Sequence, residues 1–318
     1  MNKAEMTTHR RRSLSWDTVV ALDALVSEMD ALWDVAAAGP DPTMSRNLPR
    51  VYEDAGVDWR ALVEPRFAEL FNGLMFRGAA EVGRVSGACF PSAEVLDRWL
   101  PTARAGDLLV THHPIDVRNG TPDEVWAQGF VALSAAHQSA IRAKRVSLYA
   151  VHAPMDISQV VGTTASIVEA LGGRVEERIW PYGNGYAGRI CRIAPASTDA
   201  LAARLADIFR IDQLEIEGER RDRIERIAVV AGVGDHLDAM RDAEARGADA
   251  WVTGELHVRI EGEYGRRKYA EVKALRTGMS LFGASHAATE HLVMRTQLAR
   301  WFRGRAPYDT IDEPHWWR

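Results

Sequence analysis

The stretch Asp107-Leu-Leu-Val-Thr-His-His-Pro114 places two adjacent histidines at the end of a short apolar run. The run from Leu108 to Val110 predicts a buried strand, and Pro114 ends it because proline has no backbone N–H to donate. Adjacent side chains on a strand point to opposite faces, so both imidazoles can serve one site only where the chain leaves the strand. Open α/β sheets bind ligands at such strand ends. The alternative is a pair of solvated loop histidines, and the other motifs of the chain decide between the two.

From Val85 onward, apolar strand-like runs alternate with amphipathic helical segments. This alternation predicts an α/β fold with a mostly parallel sheet covered by helices. The predicted strands are 85–90, 107–111, 146–151, 186–193, 227–231, 250–253 and 279–282. The predicted helices are one that opens at Ser92 and others at 124–144, 160–171, 198–208, 235–246, 258–275 and 286–302.

The two ends of the chain lie outside this alternation. Residues 1–66 are predicted to form a helical, loosely attached N-terminal extension, interrupted at Gly39-Pro-Asp-Pro42. We expect this extension to contribute no functional side chains. Residues 67–303 are predicted to form the α/β domain, and residues 304–318 a C-terminal tail. We expect Trp316 and Trp317 in this tail to dock on a partner subunit or on the protein's own core.

The composition is that of an ordinary globular protein, with 318 residues, 47% hydrophobic and 26% charged. A formal net charge of -5 gives no general attraction to nucleic acid or anionic lipid. We find no apolar run long enough to span a bilayer, and no apolar segment after Arg10-Arg-Arg12 that resembles a secretory signal. Cys89 and Cys191 both lie in apolar stretches, which indicates buried thiols rather than a disulfide framework or a sulfur-rich metal site. These features predict a cytoplasmic protein without a membrane or nucleic-acid partner.

Four predicted strand ends carry side chains that can bind metal. Burying several such polar side chains without partners is costly, so their recurrence indicates one shared site. The four sets are His112 with His113, His152 with Asp156, Glu255 with His257, and His286 with Glu290. His286 and Glu290 are four residues apart at a helix start, so they share one face and can hold one ion. Ser285 is a suitable N-cap for that helix. The alternative for this pair is an ordinary polar contact on a solvated face.

The roles within the other sets stay open at this point. Asp156 offers the oxygen that a divalent ion prefers, and His152 is either a ligand or, as we favour, a donor that orients Asp156. Glu255 is a candidate general base or an acid supporting a ligand, and His257 a candidate proton donor. The alternative for Glu255 and His257 is that both are solvent-exposed residues next to a glycine in a turn. Ala231-Gly-Val-Gly-Asp235 is more typical of a tight turn than of a phosphate cradle.

Several motifs occur in the order and spacing of a known family. They are Asn72-Gly-Leu74, the His112-His113 stretch, Tyr149-Ala-Val-His-Ala-Pro-Met-Asp156, Ala231-Gly-Val-Gly234, Gly247-Ala-Asp-Ala-Trp-Val-Thr-Gly-Glu255 and His286-Ala-Ala-Thr-Glu290. The chain resembles the Nif-three-like dinuclear metal-centre proteins, some of which are called GTP cyclohydrolase type 2-like. The resemblance implies two related α/β lobes with mostly parallel or mixed sheets, a metal site in the cleft between them, and a homo-hexamer.

By position, the resemblance also implies the metal ligands and their ions. The implied ligands are His112, His113, Asp156, His286 and Glu290. They would hold two divalent ions. Because the donors are a mixture of nitrogen and oxygen, these ions can be zinc, iron, manganese or cobalt. Glu255 and His257 lie where the family has polar residues near the site. This chain departs from the family at Ser285, where glycine is usual, and this departure is expected to tilt the helix start.

The leading hypothesis is a metal-dependent hydrolase that acts on a small phosphate-bearing or nucleotide-like substrate. In this hypothesis Glu255 or His257 moves the proton, and the two ions activate water. The GTP cyclohydrolase activity follows from the resemblance only, because we identify no residues that build a purine pocket. The competing hypothesis is a non-catalytic metal-binding or regulatory hexamer. A third possibility, one ion in place of two, would remove Asp156 or Glu290 from direct coordination.

Overall fold

Two mixed β-sheets, each with its own buried core, form the two lobes of the chain. The structure is a computed structural model, and it describes residues 19–123 and 125–313. The helices are α1 (Leu22–Leu32), α2 (Val35–Ala38), α3 (Met44–Asp54), α4 (Pro65–Leu70), α5 (Ala93–Trp99), α6 (Ala135–Lys144), α7 (Ala153–Ile157), α8 (Thr163–Ala170), α9 (Thr198–Phe209), α10 (Leu237–Ala245), α11 (Glu263–Lys273), α12 (His286–Val293) and α13 (Ala299–Phe302). A 3₁₀ turn covers Trp59–Ala61, and a π-helical segment, Met294–Leu298, joins α12 to α13.

The strands are β1 (Val20–Ala21), β2 (Gly73–Phe76), β3 (Glu81–Val82), β4 (Val85–Ala88), β5 (Leu108–Thr111), β6 (Asp116–Arg118), β7 (Gly129–Val131), β8 (Ser147–Ala150), β9 (Arg174–Tyr182), β10 (Gly185–Ala196), β11 (Glu215–Gly218), β12 (Ile224–Val233), β13 (Ala250–Glu255), β14 (Ser280–Gly283) and β15 (Tyr308–Thr310). The first lobe has the sheet order β15-β4-β5-β8-β2, in which only β2 is antiparallel to its neighbour. The second has the order β11-β14-β13-β12-β10-β9, with β12, β13 and β14 parallel. The predicted α/β fold with two lobes and mixed sheets is confirmed.

The strands that carry the site follow the apolar runs of the sequence closely. The predicted strands at 107–111, 146–151 and 250–253 are β5, β8 and β13, and each is buried along its whole length. Strands covered on both faces have near-continuous apolar sequences, which made these three predictable. The final helix is also confirmed, because α12, the π-helical segment and α13 run without interruption from His286 to Phe302.

Two parts of the secondary-structure prediction are wrong. The helix expected at 124–144 begins only at Ala135, where the Ser134 side chain accepts a hydrogen bond from the His137 amide. Before this helix, β6 and β7 pair as a small antiparallel hairpin. Glu124, where the helix was predicted to begin, lies outside the described residues. The prediction also missed several strands. Among them, β9 and β11 have exposed and half-buried residues that give no apolar run, and β2 and β15 are short and lie outside the alternating segments.

The expectation of a loosely attached N-terminal extension is wrong for its described part. Leu22, Leu25 and Met29 of α1 are buried in one cluster with Leu108 and Val110 of β5. The indole N–H of Trp33 donates to the Val161 carbonyl at 2.8 Å. The chain from residue 19 onward is therefore part of the first lobe.

The C-terminal end returns to the first lobe as well. Strand β15 pairs in parallel with β4 at the edge of the first sheet. Beyond it, Glu313 is buried and accepts a hydrogen bond from the Phe90 amide at 3.3 Å. Trp316 and Trp317 lie outside the described residues. Within the ranges 19–123 and 125–313, no helix has the length and apolar character needed to cross a membrane.

The packing of α1 predicts a large effect for a single truncation there. Leu25 is 1% exposed, so Leu25→Ala should lower the free energy of unfolding by about 2–5 kcal/mol, through lost burial and a residual cavity. The measurement is urea denaturation followed by circular dichroism. Val160→Ala is the control, because Val160 is 70% exposed and its truncation should change stability by less than about 0.5 kcal/mol. Equal midpoints for both variants would contradict the packing described here.

Candidate metal centre

Side chains from the two lobes meet where β5, β8 and β13 end and α12 begins. The predicted ligands that lie together there are His112, His113, Asp156, His286 and Glu290. Strand β5 ends directly before His112, and the parallel neighbour β8 ends shortly before α7, which carries Asp156. Glu290 of the second lobe reaches His113 of the first, with its Oε2 2.8 Å from His113 Nε2. The cluster is therefore an interface between the lobes.

His112 is held in one tautomer by the backbone. Its Nδ1 lies 3.0 Å from the Val151 carbonyl oxygen, which can only accept, so Nδ1 carries the hydrogen and donates. Its Nε2 then faces the carboxylates, at 3.4 Å from Asp156 Oδ1 and 3.5 Å from Glu290 Oε1. A backbone carbonyl behind a histidine is the usual arrangement that orients a metal ligand.

His286 is oriented in the same way, by a carboxylate. Glu255 Oε1 lies 2.9 Å from His286 Nδ1, while His286 Nε2 lies 3.2 Å from Glu290 Oε1. Asn119, at the end of β6, donates to the same oxygen of Glu255. This geometry favours Glu255 as a support for His286, one of the two roles left open by the sequence.

The helix that carries His286 and Glu290 begins at Ser285, as predicted. The Ser285 side chain accepts a hydrogen bond from the Ala288 amide at 3.2 Å. Its backbone has a φ of 98°, in a region that favours glycine and is strained for serine. The backbone therefore has a conformation that suits glycine, and serine at this position adds the cap.

Glu290 is the electrostatic centre of the cluster. Burial raises the pKa of the Glu290 carboxyl, but His286, His112 and His113 lower it by more, so this pKa lies well below its usual range. Burial lowers the pKa of His286, and Glu290 and Glu255 more than offset this, raising it to about 10. The pKa of His112 is raised in the same way by Glu290 and Asp156, against the effect of burial. The carboxylates therefore stabilise positive charge on His286 and His112, whereas burial lowers the pKa of His113 well below its usual value.

The residues present fit a divalent ion. The ligand atoms of His112, Asp156 and Glu290 all lie within 4.8 Å of one another. Within the described part of the chain, His112 Nε2 and His286 Nε2 are buried and lack a hydrogen-bond partner of good geometry, although Glu290 Oε1 lies 3.5 and 3.2 Å from them. Leaving such atoms unpaired is costly, and a metal ion would satisfy both. The mixed imidazole and carboxylate donors suit zinc, iron, manganese or cobalt.

His152 does not orient Asp156, which corrects the role favoured from the sequence. Its Nδ1 lies 3.0 Å from Asp41 Oδ2, and Asp156 is instead held by the Thr163 hydroxyl at 2.7 Å. The His152 ring belongs to a second group of close ligand atoms with His112 and His113. The geometry favours the other role considered, that of a metal ligand.

The Asp41 carboxylate that supports His152 comes from the N-terminal segment. Asp41 also accepts hydrogen bonds from the backbone amides of Thr43, Met44 and Ala153. Burial raises the pKa of Asp41, while His152 and the amides of Met44 and Ala153 more than offset it and bring this pKa well below its usual range. Sequence reasoning assigned this segment no role at the site, whereas the structure places Asp41 in contact with it.

His257 lies outside the cluster. Its Nε2 is 3.0 Å from Glu217 Oε1, and its ring packs against Tyr269. Glu217 also binds Lys273. The geometry gives no support to the role of His257 as a proton donor, which stays a prediction.

The glycine turn after β12 makes room for the cluster. Gly232 has a φ of 67°, and a Cβ at this position would lie 2.1 Å from Glu290 Oε1 and 3.2 Å from His286 Nε2. Only glycine adopts this conformation at low cost and also leaves this space. The motif Ala231-Gly-Val-Gly234 therefore serves close approach to the site, which explains a glycine that the sequence alone assigned to a tight turn.

With this geometry in place, the comparison with known families is decisive. The family Duf34/NIF3 (NGG1p interacting factor 3) matches residues 70–311. The chain belongs to this family. Its NIF3 region thus extends from just before β2 to just after β15 and contains all five predicted ligands.

Individual relatives and solved structures share only low sequence identity with this chain. A Vibrio cholerae protein named GTP cyclohydrolase 1 type 2 homolog is 25% identical over 248 residues, covering 76% of this chain and 90% of the relative. A Halobacterium salinarum protein of the same name is 33% identical over 192 residues, covering 58% and 66%. The solved structure of a protein called ybgI, of unknown function, has a TM-score of 0.63 at 20% identity and covers 93% of this chain and 100% of that one. The last similarity supports the fold alone.

Sequence reasoning missed three supporting residues of the site: Asp41, Asn119 and Thr163. Each lies in a segment whose local pattern predicts only a break, a turn or an N-terminal helix residue. Asp41 is 111 residues from His152, and Asn119 is 136 residues from Glu255. A signal was available for Asp41, because an acidic residue between two prolines in an N-terminal break is unusual enough to examine.

Gly232→Ala should disrupt the centre because the new Cβ displaces Glu290. We expect the free energy of unfolding to fall by more than the ~1 kcal/mol typical of alanine in a left-handed conformation, together with a loss of bound metal. Gly172→Ala is a matched control, since Gly172 has a φ of 58° and nothing within 4 Å of the added Cβ. Urea denaturation and metal analysis of both variants provide the test. Equal losses in the two would contradict the role given to Gly232.

Asp235, at the end of the glycine turn, predicts a pH dependence of stability. Burial raises the pKa of this carboxyl from 3.8 to about 6; Lys268 opposes the shift and Glu255 adds to it. Because the folded pKa lies above the unfolded value, the fold loses stability as pH rises from about 4 to about 6, by roughly 3 kcal/mol. Asp235→Asn removes this loss, so it should be more stable than the parent at pH 8 and similar to it at pH 4.

The measurement for Asp235 is urea denaturation at both pH values. Asp238→Asn is the control, because Asp238 is fully exposed in the next helix. A stability difference between Asp235→Asn and the parent that is the same at pH 4 and pH 8 would contradict the raised pKa.

Proposed function

We propose that this NIF3-family chain is a metal-dependent hydrolase with a dinuclear centre, acting on a small phosphate-bearing or nucleotide-like compound. The observation that carries the proposal is the pair of buried, unpartnered nitrogens, His112 Nε2 and His286 Nε2, that both face Glu290. The substrate class is suggested by relatives named GTP cyclohydrolase 1 type 2 homolog. Three overlapping groups of ligand atoms, two that include Glu290 and one that includes His152, offer more donors than one ion needs, which supports two ions.

Each residue has a defined task in this proposal. Divalent ions held by the five predicted ligands, with His152 as a further donor, would act as Lewis acids on water and on a substrate oxygen. The five are His112, His113, Asp156, His286 and Glu290. Glu255 Oε1 is occupied by His286 and Asn119, whereas its Oε2 is buried without a hydrogen-bond partner in the described part of the chain. Glu255 Oε2 is thus free to accept the proton of the attacking water while Oε1 keeps His286 in place.

A non-catalytic, metal-holding hexamer is the second candidate, and burial favours it. The side chains of His112, His113, His286 and Glu290 are at most 5% exposed. Asp156, at 13%, is the most exposed of the five, so solvent and substrate would approach from its side. A storage or regulatory centre needs no such approach.

The metal content of protein purified without chelator tests the centre itself. We expect close to two ions per chain in the parent, and fewer in His113→Ala and Glu290→Ala, because each variant removes a ligand. His137→Ala is the control, since His137 binds Asp97 on the surface of the first lobe. An unchanged metal content in both ligand variants would contradict the assignment.

Turnover then separates the two candidate functions. A screen of phosphate esters and nucleotides with metal-loaded protein should find hydrolysis that falls by at least ~10²-fold in Glu255→Gln, the size typical of a lost general base. Glu255→Gln should keep its metal, because Glu255 is not among the five ligands. No turnover in the parent, with full metal loading, would favour the non-catalytic hexamer.

A further inference from the structure

Cys89 is held against the metal centre by the backbone. It follows β4 directly, and its carbonyl oxygen accepts the amides of both His112 and His113, at 3.1 and 3.0 Å. The end of β4 is therefore fixed to the same point of the fold as the paired histidines. The Cys89 side chain is fully buried.

The sulfur itself faces two of the predicted ligands. Cys89 Sγ lies 3.3 Å from Glu290 Oε2, the oxygen that also lies 2.8 Å from His113 Nε2. Sγ, His113 Nε2 and a Glu290 oxygen form a group in which all three atoms lie within 4.8 Å of one another. This group is separate from the group made by His112, Asp156 and Glu290, and the two share only Glu290.

The separation between Cys89 Sγ and Glu290 Oε2 is close to that of two ligands of one tetrahedral ion. With Zn–S near 2.3 Å and Zn–O near 2.0–2.2 Å, two ligands of one zinc ion lie about 3.5–3.7 Å apart. The Sγ–Oε2 distance of 3.3 Å is close to this value. The 2.8 Å between His113 Nε2 and Glu290 Oε2 is a hydrogen-bond distance, which an ion between them would widen by about 0.5 Å. A thiol that only donates to Glu290 would also satisfy this one distance, so the nitrogen of His113 as a third donor is what favours an ion.

We propose that Cys89 is a thiolate ligand of one of the two ions, which it shares with His113 and Glu290. The inference rests on the proposed metal centre and adds a sulfur donor to it. Binding of the ion displaces the thiol proton to solvent, one proton for each Cys89–metal bond formed. A thiolate with imidazole and carboxylate selects zinc, iron or cobalt over manganese and magnesium, which prefer oxygen.

The test is X-ray absorption at the zinc edge of the full-length, zinc-loaded protein. A sulfur scatterer near 2.3 Å is expected in the parent and absent in Cys89→Ser, which should show only nitrogen and oxygen at about 2.0–2.2 Å. Cys191→Ser is the matched control, because Cys191 is the only other cysteine and is buried in the core of the second lobe. It should keep the sulfur signal unchanged.

Cobalt loading gives an independent readout. The parent and Cys191→Ser should show thiolate-to-cobalt charge-transfer absorption, and Cys89→Ser and Cys89→Ala should lose it. Metal bound through nitrogen and oxygen alone in the parent would overturn this inference and leave the proposed function intact. A parent protein that takes up no metal would overturn both. Because the parent and Cys191→Ser decide the matter, a Cys89 variant that fails to fold does not prevent the test.

Discussion

The buried carboxylate of Glu290 is the interaction on which the site and the joining of the two lobes depend. It contacts three imidazoles, His113 and His112 from the first lobe and His286 from its own helix. An isolated ionised carboxyl would be too costly to bury, so these partners must be in place whenever the chain is folded. Because the partners come from both lobes, the lobes can pack together only in the arrangement that satisfies Glu290.

This constraint explains local features that carry an energetic cost. Gly232 gives up a side chain so that Glu290 can approach the backbone, and Ser285 adopts a strained φ so that α12 begins at His286. The helix then changes from α to π geometry at Met294. The π-helix is rare in proteins overall, but where it occurs it is often found at functional sites. Along its length the helix contacts both cores, with Leu292 in the second lobe and Leu298 in the first. The position of Glu290 is thus determined by packing at both ends of one helix.

The sequence predicts the parts of this arrangement that have a local periodicity. Buried strands such as β5 and β13 are continuous apolar runs, and residues spaced four apart on a helix share a face, so the end of β5 and the start of α12 were predictable. The partners that orient the imidazoles were not, because Asp41 and Asn119 reach the site from distant segments without a regular pattern. The contact of His257 was not predictable for the same reason, because its position two residues after Glu255 gave no indication that its ring points to Glu217.

The distribution of the ligands also bears on why the N-terminal segment is part of the fold. Asp41 is the carboxylate behind His152, and it is itself positioned by amides on both sides of the contact, Met44 from its own segment and Ala153 from α7. A hydrogen bond behind an imidazole fixes which nitrogen faces the centre. His112 and His286 obtain this from Val151 and Glu255, within the α/β lobes. His152 obtains its shorter contact, 3.0 Å, from Asp41 of the added segment, and a longer one, 3.3 Å, from the Tyr182 hydroxyl. The added segment therefore helps to complete the set of oriented imidazoles and is more than a surface addition.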